Sequence, residues 1–109
     1  MASDRDIANS ILNRLVPLPV TTKRLFGLSG LYLDGQYFGF VSDGTLYFRT
    51  DEASRERYES RDMSAFQPSN RPRGPKTVDR NFQVPPDVFQ DDDVLRAWAI
   101  EAAEAAKKD

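Results

Sequence analysis

Apolar and polar positions recur with two different periods along this chain, and each change of period marks an element. Ile7, Ala8, Ile11, Leu12 and Leu15 fall three and four apart, with Arg5, Asn9, Asn13 and Arg14 largely opposite them. That spacing predicts an amphipathic helix of about three turns. Ser3, followed three residues later by Asp6, supplies its start as a capping box, although Asp reaches less far than Glu in that role. Pro17 and Pro19 end it, because neither offers a backbone N–H and each biases its predecessor towards extended geometry.

The period then shortens to two. Val20 to Phe26 reads as an extended lead-in, and Gly27 and Gly30 as the place of a bulge or bend. Asp34-Gly35 and Asp43-Gly44 each separate runs of apolar and aromatic residues, the pattern of tight hairpin turns that need positive φ. They predict a three-stranded meander over Leu28 to Leu33, Gln36 to Ser42 and Thr45 to Thr50. Alternation puts Phe38 with Phe40 on one face and Tyr37 with Val41 on the other, and separates Leu46 and Phe48 from Tyr47 and Arg49. One dry face for helices and one semi-polar face bearing tyrosines is the expectation.

Beyond the meander, Asp51 to Arg61 predicts a short polar helix anchored by Tyr58, with Thr50 or Asp51 as its cap. Met63 to Phe66 reads as a short strand. Residues 67–76, with three prolines and a glycine, predict a flexible loop. Val78 to Val84 reads as a further strand, broken by Pro85-Pro86. The last helix follows Asp91-Asp92-Asp93, with Val94, Leu95, Trp98, Ala99, Ala102 and Ala106 on one stripe. The fold class is therefore α+β, an α-β(3)-α-β(2)-α two-layer sandwich with an antiparallel sheet, in one domain over residues 1–109.

Composition narrows the chemistry. The 109 residues contain no cysteine and no histidine, which removes disulfides, thiolate chemistry, the commonest metal ligand and the usual base near neutral pH. No apolar run approaches a membrane span or a signal segment, so a cytoplasmic location away from membranes is expected. The net charge is −2, with 12 Lys/Arg against 11 Asp/Glu in residues 1–90 and 3 against 6 in residues 91–109. That balance is not one of a general polyanion binder.

Four sets of residues stand out. Lys23-Arg24, and the run Arg71, Arg73, Lys76 and Arg80, are candidate contacts to an anion or to nucleic acid, weighed against solvated edge and loop charges. Asp91-Asp92-Asp93 lacks the alternating ligands and turn glycine of a calcium loop, and helix capping accounts for it. Gly27, Gly30 and Gly35 lack the Lys-Ser/Thr of a phosphate loop. Tyr32, Tyr37 and Tyr47 form a candidate interaction face if they share the uncovered side of the sheet, for a protein partner or a second copy of the chain. No cofactor, metal or small-molecule substrate is expected.

Lys23-Arg24-Leu25-Phe26-Gly27, Gly30 to Gly35, Phe38 and Leu46 to Asp51, followed by Phe82 to Pro85, Val88, Asp91, Leu95, Trp98 and the Ala102 to Ala106 run, carry a resemblance over nearly the whole chain. In these residues the sequence resembles the N-terminal domain family of TfoX, the Sxy-type bacterial competence regulators. The family usually reads Arg-Arg-Met-Phe-Gly-Gly where Lys23 to Leu28 stand here, and Lys in place of Arg49. The resemblance implies a fold similar to type III secretion chaperones and no established catalytic activity. The family's full-length regulators carry a second, C-terminal domain for which 109 residues leave no room, so a stand-alone, non-enzymatic domain is expected. The resemblance also implies a regulatory role, and the absence of His and Cys together with the candidate tyrosine face makes protein contacts the expected means. The alternative is a nucleic-acid-associated transcriptional or competence regulator binding through a basic patch.

Overall fold

The computed structural model of the chain describes residues 3–25, 28–66 and 80–107. Helix α1 spans Asp4–Leu15, and the strands β1 (Val20–Leu25), β2 (Leu28–Leu33), β3 (Gln36–Ser42) and β4 (Thr45–Arg49) follow. Helix α2 (Glu52–Glu59), strand β5 (Asn81–Gln83), the single turn α3 (Pro86–Phe89) and helix α4 (Asp92–Lys107) complete the order. The five strands form one antiparallel sheet in the order β1-β2-β3-β4-β5, with α1 and α4 side by side on one face. The α+β sandwich expected from the sequence is thus what the chain forms.

The local signals explain the frame. Ser3 Oγ accepts from the Asp6 N–H at 3.1 Å and Asp6 accepts from the Ser3 N–H at 3.3 Å, so the short Asp does close the capping box. Asp34 and Asp43 have φ of 51°, and Gly35 and Gly44 have φ of 82° and 80°, the paired positive values of a two-residue hairpin turn. The second turn is also fastened to α1, because the Asp4 carboxylate accepts from the N–H groups of Asp43 and Gly44 at 2.9 and 2.8 Å. Asp51 rather than Thr50 caps α2, accepting from the Ser54 N–H at 2.8 Å.

The sheet differs from the sequence reading in four places. Val20–Leu25 is a full strand paired along its length with β2, so the meander has four strands rather than three plus a lead-in. Met63 to Phe66 contributes one bridge, Ala65 to Phe82, with Phe66 N–H to Asn81 C=O at 2.7 Å and Gln83 N–H to Ser64 C=O at 3.1 Å. That segment covers the outer edge of β5. Of the strand expected over Val78 to Val84, Asn81–Gln83 is strand, and residues 78–79 lie outside the described residues.

The fourth difference decides which side chains are buried. Leu31 pairs with Gly39 but Tyr32 pairs with Tyr37, which leaves Phe38 as an extra residue in β3. This bulge resets the alternation. Phe38 and Val41 both enter the helix-covered core, whereas Tyr37 and Phe40 face away from it. The expectation that Phe38 and Phe40 share a face fails for that reason. Gly39 is required at the bulge, since a Cβ there would lie 2.3 Å from the Tyr47 carbonyl oxygen and 3.0 Å from Phe48 Cδ1.

Phe38 packs edge-on against Phe48, with centroids 5.5 Å apart, among Ile11, Leu15, Leu31, Val41 and Leu95, all fully buried. Helix α4 turns Leu95, Ala99, Ala102 and Ala103 into this core, while Val94 is 37% exposed. The small alanines let the helix lie close over β3 and β4. Tyr58 of α2 fills the space between Phe82 and Trp98, at 5.9 and 4.9 Å between centroids.

Candidate functional site

The sheet face turned away from α1 and α4 gathers an aromatic and polar surface from four strands. Tyr47 stands opposite Phe40 on one side and Gln83 on the other, so the three share this face. Tyr47 stacks on Phe40 with centroids 5.2 Å apart, and Phe66 closes edge-on over both at 4.9 and 5.1 Å. Tyr32 and Tyr37, directly opposite each other across β2 and β3, meet edge-to-face at 6.0 Å. Tyr32, Tyr37 and Tyr47 are all half-buried, so they form a partly accessible aromatic floor rather than isolated surface rings.

A polar group adjoins this floor. The Tyr37 hydroxyl donates to Asn81 Oδ1 at 2.9 Å, and Asn81 pairs across the ladder with Arg49. Arg49 and Asn81 are both buried. The Arg80 carbonyl accepts from the Thr50 N–H and from Thr50 Oγ1, each at 2.7 Å, which fixes the chain as it enters β5. Burial raises the Tyr37 pKa well above the ordinary phenol value, the Arg49 charge opposes that rise and Tyr32 adds to it. Burial likewise lowers the Arg49 pKa, with the Arg80 charge acting in the same direction and Tyr37 against it. Tyr47 is raised by burial and by Asp43. Tyr37 and Tyr47 are therefore neutral hydroxyls at physiological pH, suited to hydrogen bonding and ring contact rather than to proton transfer.

The basic residues singled out from the sequence are not gathered into one place. Lys23 and Arg24 lie exposed on β1, one edge of the sheet, and being adjacent they project to opposite faces. Arg80 precedes β5 at the other edge, four strand spacings or roughly 19 Å away. Arg71, Arg73 and Lys76, and the loop expected over 67–76, lie outside the described residues.

A shallow recess of about 200 Å³ lies beside Leu46, Val84 and Phe89, below the roughly 300 Å³ at which ligand pockets begin. Among the described residues no three Asp, Glu, His or Cys side chains converge on a point where an ion could sit. Asp91 is spent as the cap of α4, accepting from the N–H groups of Asp93 and Val94 at 3.0 and 3.2 Å. Among the described residues no helix is long and apolar enough to cross a membrane.

The profile of one protein family, the TfoX N-terminal domain, matches residues 11–106. The chain belongs to the TfoX N-terminal domain family. The match runs from the middle of α1 nearly to the end of α4, so it takes in the whole sheet and both helices that cover it. No curated protein matches the chain.

Alternation in the sequence assigns Tyr37, Tyr47 and Arg49 to the semi-polar face and leaves Tyr32 conditional; in this TfoX N-terminal domain all four lie on the face away from the helices. Sequence reasoning missed Phe40, Phe66 and Asn81. Phe40 was hidden by the bulge, whose one outward sign is Gly39 inside an aromatic run. Phe66 and Asn81 reach this face through tertiary pairing between segments that carry no periodicity of their own.

Proposed function

We propose that this TfoX N-terminal domain is a non-enzymatic regulatory module that works through protein contacts made by the face of its sheet turned away from α1 and α4. The observation that carries the reading is the convergence of Tyr32, Tyr37 and Tyr47 on that face, with Phe40 and Phe66 packed against Tyr47. Aromatic rings that present area with few rotatable bonds are the side chains that most often anchor protein interfaces. Membership in the family supports the regulatory character, and the lack of His and Cys in the sequence supports a role outside catalysis.

The nucleic-acid reading draws less support. Phosphate binding recruits several cations on one surface, and Lys23, Arg24 and Arg80 stand at opposite edges of the sheet. The two readings part in one experiment. The purified domain, immobilised in extracts of its source cell, retains a protein partner, and a Tyr32→Ser variant of unchanged melting temperature loses it. A salt-dependent shift of duplex DNA by the wild-type domain, unaffected by Tyr32→Ser, would replace this proposal with the basic-patch reading.

A further inference from the structure

The two edges of the sheet are not alike. The outer side of β5 is covered by the 64–66 segment, through the Ala65 bridge and its flanking hydrogen bonds. The outer side of β1 pairs with nothing among the described residues. Its phase can be read from the ladder. The Pro19 carbonyl accepts from the Asp34 N–H at 2.9 Å, so Pro19 lies in the inward phase, and Thr21 and Lys23 follow it. Thr22 and Arg24 therefore point their N–H and C=O groups outward, giving two donors and two acceptors at the spacing that a further strand requires.

Charge selects what can add there. Lys23 and Arg24 are both exposed, on opposite faces of the strand, and neither makes an ion pair among the described residues. A second copy of β1 laid against this edge would bring the same cations together, which disfavours self-pairing. An extended segment with adjacent acidic residues meets both, one carboxylate on each face.

We infer that β1 is a strand-addition site for an extended, acidic segment of a partner protein, with the outward backbone groups of Thr22 and Arg24 giving register and Lys23 and Arg24 giving charge selection. This inference rests on the reading of the domain as a protein-contact module and adds a second contact, at an edge distinct from the tyrosine face. Strand addition supplies backbone hydrogen bonds that are indifferent to sequence, so the flanking cations carry the discrimination.

The test uses the isotopically labelled chain and two eight-residue, end-blocked peptides alternating valine and threonine, one with two central glutamates and one with two central lysines. The glutamate peptide is expected to shift the amide resonances of Thr22 and Arg24 and to slow their hydrogen exchange, and the lysine peptide to do neither. Lys23→Glu with Arg24→Glu is expected to weaken glutamate-peptide binding at least tenfold. Thr22→Pro removes one outward donor at an edge position, where proline is tolerated. It is expected to abolish binding while leaving the melting temperature and Trp98 fluorescence unchanged. Glutamate-peptide binding that survives Thr22→Pro, shifts confined to Tyr32, Tyr37 and Tyr47, or no shift at millimolar peptide would overturn the inference. So would a dimer in sedimentation that Thr22→Pro dissolves, since a second copy would then hold the edge. Failure here with Tyr32→Ser still abolishing partner capture removes the edge site alone. Failure of both removes the protein-contact reading as well.

Discussion

The Tyr37 hydroxyl donates to Asn81 Oδ1 across 2.9 Å, tying β3 to β5 over the intervening β4 beside the buried Arg49 side chain. One bond thereby joins the aromatic floor to the segment that re-enters the sheet after α2. A hydrogen bond of this kind is worth about 1 kcal/mol net. Tyr37→Phe keeps the ring and removes the donor, so a loss of about 1 kcal/mol and a melting temperature lower by about 4–8 °C are expected. Circular dichroism melts of the two proteins check this, and an unchanged midpoint would show the bond to be dispensable.

The bulge makes a sharper demand. A methyl group at Gly39 would meet the Tyr47 carbonyl oxygen at 2.3 Å, against backbone that cannot rotate aside. Gly39→Ala is expected to cost about 3 kcal/mol, the upper end of ordinary overpacking, because β3 and β4 must separate where Phe38 and Phe48 meet. Urea unfolding measures it. A cost under about 0.5 kcal/mol, the range of neutral surface substitutions, would show that the close approach is not needed.

Much of this architecture is legible in the chain, for identifiable reasons. The Asp-Gly turns and the Ser3 capping box are encoded by residues that act on their own neighbours, so the structure repeats them where the sequence puts them. Strand β1 was harder to read because VTTKRL has no clean alternation and is held by its pairing with β2. The phase of β3 could not be read, because a bulge is a property of two strands and inverts every side chain beyond it. On α4, alanine carries too weak an apolar signal to fix the buried stripe. Contact with β3 and β4 turns Ala103 inward and leaves Val94 partly exposed. Alternation shows Tyr37 and Tyr47 on the semi-polar face, whereas Tyr32, Phe66 and Asn81 join it through pairing between strands.

The join between α1 and α4 rests on two arginines. Arg96 Nη1 donates to the Arg14 and Val16 carbonyls at 3.2 Å each, satisfying the C-terminal end of α1. Arg14 in turn pairs with Asp92 at 2.7 Å and lies 4.6 Å over the Phe89 ring. Arg96→Met, which keeps the apolar stem, is expected to cost about 1–2 kcal/mol, as charged hydrogen bonds at a helix end do. Hydrogen exchange in the last turn of α1 should accelerate with it. Unchanged exchange there would assign the stability of that turn to packing alone.

Alkaline pH tests the buried phenols. Tyr37 and Tyr58 are both raised above the ordinary value near 10, in each case chiefly by burial. The folded state keeps these protons where the unfolded state releases them. Their contribution is therefore complete below about pH 10 and is lost progressively as pH rises above it. Tyrosinate absorbance from these two residues should appear together with the loss of circular dichroism. Full ionisation of all four tyrosines with the fold intact would contradict the burial.

The central claim, that the tyrosine-bearing sheet face is where this TfoX N-terminal domain meets its partner, is tested most directly by photo-crosslinking in the source cell. p-Benzoylphenylalanine is placed singly at Tyr32, at Tyr47 and at Ser10, which lies exposed on α1. The account predicts a discrete protein adduct from positions 32 and 47 and none from position 10. Adducts to nucleic acid from the two sheet positions, or equal protein labelling from all three, would contradict it.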